Sequence, residues 1–396
     1  MFQVRQYYKK LNRYRLNIKS LAERESGMSI ADVINPYDKR NEIYLEFSGT
    51  PEKKKLKRKL IKLIAKRIKN ARACILMYGA HLIKNGLSRT LIELMKRGYF
   101  AHLGTNGAGV IHDWELAYFG KTSEYVKRYI REGQFGIWNE TGLYLNLAAI
   151  LAFAEGRGFG EMVGEMVSTN TLIIPTVSEL KSQIRELSKR FEKEKDIYRK
   201  DNLRQIILGK INLLHHLKSD FPLFGIKPGK MVIPHPESNA FYKEICVISN
   251  AYELGIPFTV HKGIGQDIID THPLNDGAAI GATTTNDFLI MGGSQALLEG
   301  GVYICIGSSV IAPMVFEKLQ SMINNLRLKE HGKVLSNFLI VVNDIQPEEV
   351  YDREPPRNTP AYYHRFLKTF SRMGGRFIYF EEDNRCFLLN LFRLLV

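Results

Sequence analysis

The chain has little of several things that would narrow its class at once. It carries four cysteines in 396 residues, Cys74, Cys246, Cys305 and Cys386. They are widely spaced in apolar surroundings, with no CxxC pair that would hold zinc or a redox centre. Buried, reduced thiols and a cytoplasmic location are the expectation. No window approaches the 18 to 20 uninterrupted apolar residues that a membrane span needs, roughly the thickness of a bilayer core. The basic start, MFQVRQYYKKLNRYR, leads into no apolar stretch, so a secretory signal is not expected. Negative charge is also short, with 41 Asp and Glu against 56 Lys and Arg and a net charge of +15.

That excess is local. Residues 1–70 hold 19 Lys and Arg against 7 Asp and Glu, leaving +12 there and +3 on the rest. Such an arm could meet nucleic acid or another polyanion. Its densest run, PEKKKLKRKLIKLIAKRIKN, also repeats Leu56, Leu60, Leu63, Ile64 and Ile68 at helical spacing. An amphipathic helix docked on the body, with its charges solvated, is the favoured reading over a nucleic-acid surface.

Hydrophobic residues make up 45% of the chain, enough for a sizeable core. After residue 70, short apolar runs alternate with longer helical patterns and are bounded by Gly, Pro, Asn or Asp. Repeated strand, turn and helix units predict an α/β fold, doubly wound around a mostly parallel sheet. The expected strands cover residues 73–78, 100–104, 171–175, 231–234, 257–260, 288–291, 302–306, 338–342 and 376–380. Runs such as VYICI and FLIVV are apolar throughout, as strands buried on both faces are. Residues 177–218 are charged with apolar positions every three or four residues, which predicts a helical insertion or hairpin. Residues 346–360, with Pro347, Pro355, Pro356 and Pro360, predict a surface loop. The expected organisation is a basic extension over 1–70 and one α/β domain over 71–396 carrying that insertion.

Ligands of open parallel sheets bind beyond the carboxyl ends of the strands, so the residues that follow each strand matter most. The first is followed by Gly79-Ala80-His81 and the second by Thr105-Asn106-Gly107-Ala108-Gly109 at the start of a helix. Glycines there let the backbone approach a pyrophosphate, and the helix offers free N–H groups. Later strands are followed by His235, by His261-Lys262-Gly263, by Gly307-Ser308-Ser309 and by Asn343-Asp344. His81, His112, His235, His261 and His272 thus gather at strand ends, which suggests proton transfer near neutral pH. A metal site from His235, His261, His272 and Asp276 is conceivable, although its spacing matches no standard ligand pattern and no metal is expected.

The segment GAHLIKNGLSRTLIELMKRGYFAHLGTNGAGVIHDWELAYFG resembles deoxyhypusine synthase, as do ELGIPFTVHKGIGQDIID and GGVYICIGSSVIAPMVFEKLQSM, in the same order. The resemblance covers roughly residues 60–345. It implies a Rossmann-like NAD-binding fold, assembled as a homotetramer with cofactor sites at subunit interfaces. By position, Ala80, His81, Thr105, Asn106, Gly107, Ala108, Gly109, Gly307 and Ser308 would touch NAD.

The departures are chemical. Ile111 and His112 stand where the family carries acidic residues, and only Asp113 is kept. Ile311-Ala312-Pro313 replaces a Lys-His-His cluster, and the segment ending Trp-Gly-Lys has no counterpart. That lysine forms the family's covalent intermediate, so true deoxyhypusine synthase activity is not expected. The chain is most similar to a bacterial branch of deoxyhypusine synthase-like proteins without a settled substrate.

The expected function is therefore NAD-dependent dehydrogenation of a small amine or polar metabolite, with or without group transfer. His261, Lys262, His112, Asp113, Asp276 and His272 are the catalytic candidates, with Lys262 able to stand in for the missing lysine if burial activates it. A non-catalytic ligand-binding or nucleic-acid-associated module and a metal-dependent hydrolase are the alternatives.

Overall fold

The computed structural model describes residues 8–235, 240–348 and 352–396. Six strands form the central sheet: β1 (Cys74–Tyr78), β2 (His102–Asn106), β3 (Phe258–His261), β4 (Val302–Ile306), β5 (Leu339–Asp344) and β6 (Arg376–Glu381). They are all parallel, in the spatial order β3-β2-β1-β4-β5-β6. This is the doubly wound order of dinucleotide-binding sheets, whose direction of winding reverses between β1 and β4. β1 and β4 are buried at every position because both faces are covered. Leu76 and Tyr78 pack into one core and Ile75 and Met77 into the other.

The principal helices are α1 (Pro51–Lys69), α2 (Ser88–Lys96), α3 (Gly107–Phe119), α4 (Asn139–Glu155), α5 (Phe159–Thr169), α6 (Val177–Lys193), α7 (Ile197–Lys218), α8 (Val247–Glu253), α9 (Gly277–Gln295), α10 (Ile311–His331) and α11 (Asn384–Leu395). Residues of α2, α3, α4 and α11 join the first core, and residues of α9 and α10 the second. α1 begins where Thr50 caps the Lys53 N–H and Pro51 occupies the first turn. It buries Ile61, Ile64, Ala65 and Ile68. Lys55, Arg58, Lys59, Lys62, Lys66, Arg67 and Lys69 point outward. The exception is Lys57, which is buried and paired with Glu382 at 3.0 Å.

Three sequence expectations are corrected. Residues 288–291 are no strand but part of α9, which Asp276 caps through the Ala278 and Ala279 N–H groups. Four apolar residues in a row fit a buried helix as well as a strand, and the cap decides the length. Thr171–Ile174 and Gly229–Val232 are strands, yet they pair antiparallel in a ribbon of their own. The chain leaves for α6 and α7 after the first and returns at the second, so the ribbon closes the base of that helical hairpin and cannot join the parallel sheet. Ser26–Ser29 and Lys121–Glu124 form a further antiparallel pair that the sequence did not suggest. Residues 346–348 and 352–359 run without a regular helix or strand. Part of the expected loop, 349–351, lies outside the described residues, as do 236–239 after His235. No described helix is long and apolar enough to cross a membrane.

Candidate functional site

The winding reversal opens a crevice between the turns after β1 and β4. Gly79 donates its N–H to the Ile306 carbonyl at 2.9 Å, and a Cβ added to it would lie 2.1 Å from the Gly307 carbonyl oxygen. Only glycine lets the two turns meet this closely. Gly307 has φ +59 and, on its own Cβ side, nothing within 4 Å. One turn is thus pinned by its neighbour, and the other faces open space. Ala80, His81 and Ser308 flank the pair, and the Ser308 hydroxyl accepts the Ala312 N–H at 3.3 Å, tying down the start of α10.

A cleft of about 300 Å³ opens beside Gly307, with His81, Asn85, Asn343, Asp344 and Glu382 in its walls and no Lys or Arg. Glu382 is neutralised by Lys57 and Asp383 by Arg385. One Asp344 oxygen accepts the Ile345 and Gln346 N–H groups. The other has no hydrogen-bond partner among the described residues. Burial raises the Asp344 pKa, and burial lowers that of His81, assisted by Lys84. The His81 ring has no hydrogen-bond partner among the described residues.

The turn at residues 105–109 is differently built. Thr105 is fully buried and donates its hydroxyl to the Tyr78 carbonyl at 2.9 Å. Asn106 caps α3 by accepting the Gly109 N–H at 2.8 Å. A Cβ on Gly109 would fall 1.9 Å from the Thr105 hydroxyl, and one on Gly107 2.1 Å from a carboxylate oxygen of Asp267. Gly107 and Gly109 therefore make room for the protein itself, and Ala108 between them is half-buried. Asp267 brings an internal carboxylate to the helix start, where an anion is favoured. Burial raises the Asp267 pKa to about 6, against the pull of Lys262 at 3.7 Å.

The catalytic candidates do not converge. His112 bonds Thr122 at 2.7 Å, and burial lowers its pKa to about 4. Thr122 in turn donates to Glu115, which Arg24 grips at two oxygens. Asp113 is buried in the core and accepts the Val247 and Ile248 N–H groups, capping α8, with its pKa raised to about 6 by burial. Asp276 caps α9 and accepts from Asn212 and His216, both at 2.7 Å. The other ring nitrogen of His216 meets Asp220 at 2.7 Å, so the imidazole sits between two carboxylates. His272 accepts the Leu274 N–H and packs on Phe224, and its pKa falls to about 4 through burial. His235 bonds Asn170 beside the ribbon, and its other ring nitrogen lies 3.3 Å from the Tyr118 carbonyl.

Lys262, the lysine expected to be able to stand in for the family's, has two carboxylate neighbours. Its side chain is fully buried, with the ammonium 2.5 Å from Asp270 and 3.7 Å from Asp267. The amine is thus committed to an ion pair with the two carboxylates. Among the described residues no three His, Cys, Asp or Glu side chains converge as metal ligands.

His261 does face a cavity, of about 440 Å³, between α9 and α10. Its Nε2 lies 3.0 Å from the Thr259 hydroxyl, which lies 2.9 Å from Nε2 of His102. His102 and Thr259 were not singled out in the sequence. A period-two reading of β3 places Thr259 and His261 on one face, which was the available signal.

No protein-family model matches the chain, and no curated protein matches it. Solved structures similar to it include ArgZ, an arginine dihydrolase from the ornithine–ammonia cycle in cyanobacteria, with TM-score 0.37, 14% identity, 85% of this chain and 32% of that one. An LOR/SDH protein from Methanococcus maripaludis S2 has TM-score 0.37 and 14% identity over 88% of this chain and 71% of that one. AgrE in ternary complex with ornithine and NAD+ has TM-score 0.38 and 13% identity over 88% of this chain and 34% of that one. The chain thus spans about a third of the length of ArgZ and AgrE. At such scores the likeness bears no weight for function.

Proposed function

We propose that the chain binds a dinucleotide, NAD, across the crevice between β1 and β4 and dehydrogenates a small amine in the adjoining cleft. One observation carries this reading: the strand order puts the winding reversal where Gly79 and Gly307 abut, and the Cβ side of Gly307 is open. Ala80, His81, Gly307 and Ser308 are the residues of this chain that would hold the cofactor. The turn at 105–109, closed by Asp267, has a structural part.

The cleft favours a cation. In a chain of net charge +15, this wall contains carboxylates and, among the described residues, no Lys or Arg, and one Asp344 oxygen has no hydrogen-bond partner there. Asp344 would hold an ammonium group. His81, neutral at pH 7, would accept the proton that the ammonium must lose when its carbon gives up a hydride. The nicotinamide, when bound, supplies the hydride acceptor. With Lys262 held between carboxylates, the reading includes no covalent transfer through that lysine. The amine comes from the resemblance to deoxyhypusine synthase, and the charge of the cleft supports it independently.

Calorimetry of the full chain with NAD+, followed by a panel of diamines and amino acids monitored at the reduced-nicotinamide absorbance band, tests the proposal. NAD+ binding, weakened at least about tenfold by filling the cleft mouth with Ser309→Trp, is the expected result. Absence of both heat and reduction across the panel would refute it.

A further inference from the structure

The second cavity, between α9 and α10, is built from different chemistry. Ile280, Phe288, Ile311, Met314 and Val315 give it apolar walls, and Lys318 stands exposed beside them. Its polar floor is His261, which is 4% exposed. The ring is committed on one side only: Nε2 faces Thr259, and Nδ1 has no hydrogen-bond partner among the described residues. Thr284, also in the wall, has a buried hydroxyl without a partner among the described residues.

Behind His261 the polar atoms continue in a line. The Thr259 hydroxyl touches Nε2 of both His261, at 3.0 Å, and His102, at 2.9 Å. Nδ1 of His102 is 2.8 Å from the hydroxyl of Ser294, which is half-buried near the end of α9. A hydroxyl has one proton to donate, so Thr259 donates to one ring and accepts from the other. The two imidazoles therefore cannot choose tautomers separately. Fixing the proton on one ring fixes it on the other.

We propose that this cavity is a proton-transfer site for a small carboxylic acid with a branched aliphatic or aromatic body, and that Thr259, His102 and Ser294 carry its proton between His261 and solvent. The cavity volume suits a ligand of that size, with His261 in the floor for the carboxyl group, while Lys318 at the rim is paired with Glu317. The transfer balances without a charged intermediate at rest. The carboxyl group, bound in its neutral form, gives its proton to Nδ1 of His261 and is left as a carboxylate, and the Nε2 proton of that ring passes to Thr259. The Thr259 proton passes to Nε2 of His102, the Nδ1 proton of His102 to Ser294, and the Ser294 proton to water. Every protein group in the line ends neutral, with both tautomers reversed. Burial supports this by lowering the His102 pKa to about 3 and that of His261 to about 4, so both rings are neutral at pH 7. This site lies apart from the crevice between β1 and β4, and it does not depend on cofactor binding there.

Long-range 15N–1H NMR of the full chain labelled at histidine reads the tautomers directly, with single substitutions assigning the ten histidines. Titration with 4-methylpentanoic acid is expected to shift the ring nitrogens of His261 and His102 together. In Thr259→Val, which keeps the shape of the strand residue, His261 still responds and the response of His102 is lost. If Thr259→Val fails to fold, Ser294→Ala serves instead, and it is expected to shift the tautomer populations of both rings in the absence of acid. An acid that binds without moving His261, or that does not bind, would overturn the cavity assignment. Rings that respond independently in the unsubstituted chain would overturn the relay.

Discussion

Glu115→Ala is expected to be among the most damaging single substitutions in the chain. The carboxylate accepts both terminal nitrogens of Arg24 at 2.8 Å and the hydroxyls of Thr122 and Thr141, each at 2.8 Å. Both charged side chains are 1% exposed. Removing Glu115 leaves a guanidinium buried without its counter-ion, which costs about 3–5 kcal/mol. The stranded Thr141 hydroxyl adds about 1 kcal/mol, while Thr122 keeps His112 as a partner. Arg24→Met with Glu115→Leu removes both charges and should recover most of the ion-pair cost, since apolar side chains can replace a buried pair. Tryptophan fluorescence in a urea titration reports the region directly. The chain has two tryptophans, Trp114 beside Glu115 and Trp138 with Arg24 over its ring at 5.8 Å. The acid limb gives a second reading. The Arg24 charge holds the Glu115 pKa below its ordinary value against burial. The pair therefore contributes stability above the ordinary carboxylate pKa and loses it as pH falls through the folded value. A Glu115→Ala chain within about 1 kcal/mol of the parent, or a double variant no more stable than the single, would refute this account.

Three other outcomes follow from the geometry. Gly107→Ala should lose about 1–3 kcal/mol because its Cβ meets Asp267, and much of that loss should disappear in an Asp267→Ala background, as read by thermal melts. His216, whose pKa is raised by Asp276 and Asp220 against the opposing effect of burial, stabilises the fold below about pH 6.5 and loses that contribution as pH rises through its folded value. Asp276 and Asp220 are held below the ordinary carboxylate range, so their contribution is present above about pH 4 and lost on further acidification. Hydrogen exchange at the end of α7 should thus be slower, after correction for intrinsic rates, at pH 6 than at pH 8.5, and His216→Leu should abolish the difference. If the exposed cations of α1 meet nucleic acid, reversing Lys59, Lys62 and Lys66 to Glu should lower affinity for a DNA duplex and flatten its salt dependence, with a slope of about −0.9 per phosphate contact. An unchanged slope would dismiss that role.

The sequence carried the sheet well because four of its six strands are built on continuous apolar runs, CILMY, VYICI, LIVV and FIYF, which few other structures accommodate. It misled at residues 288–291, where a short apolar run lies inside a helix whose start is set by Asp276, twelve residues upstream of Phe288. It could not show what lies opposite the turn at 105–109. A glycine turn reads as a cradle until the residue opposite it is known, and Asp267 comes from a distant part of the chain. His261 was legible as a strand-end histidine. His102, at the opposite end of its strand, carried no such mark, and only the pairing of β2 with β3 brings it to Thr259.

Lys57 gives the basic arm a second meaning. Its ammonium reaches the Ser48 carbonyl and hydroxyl as well as Glu382, and the Ser48 N–H also binds Glu382, at the wall of the cleft beside Gly307. Deleting residues 1–70 would therefore do more than strip a surface of charge. It would leave the Glu382 carboxylate uncompensated where the proposed substrate enters. A truncated chain that lost both polyanion binding and enzymatic turnover would be reporting one lesion twice, and only point changes on the outer face of α1 can separate the two.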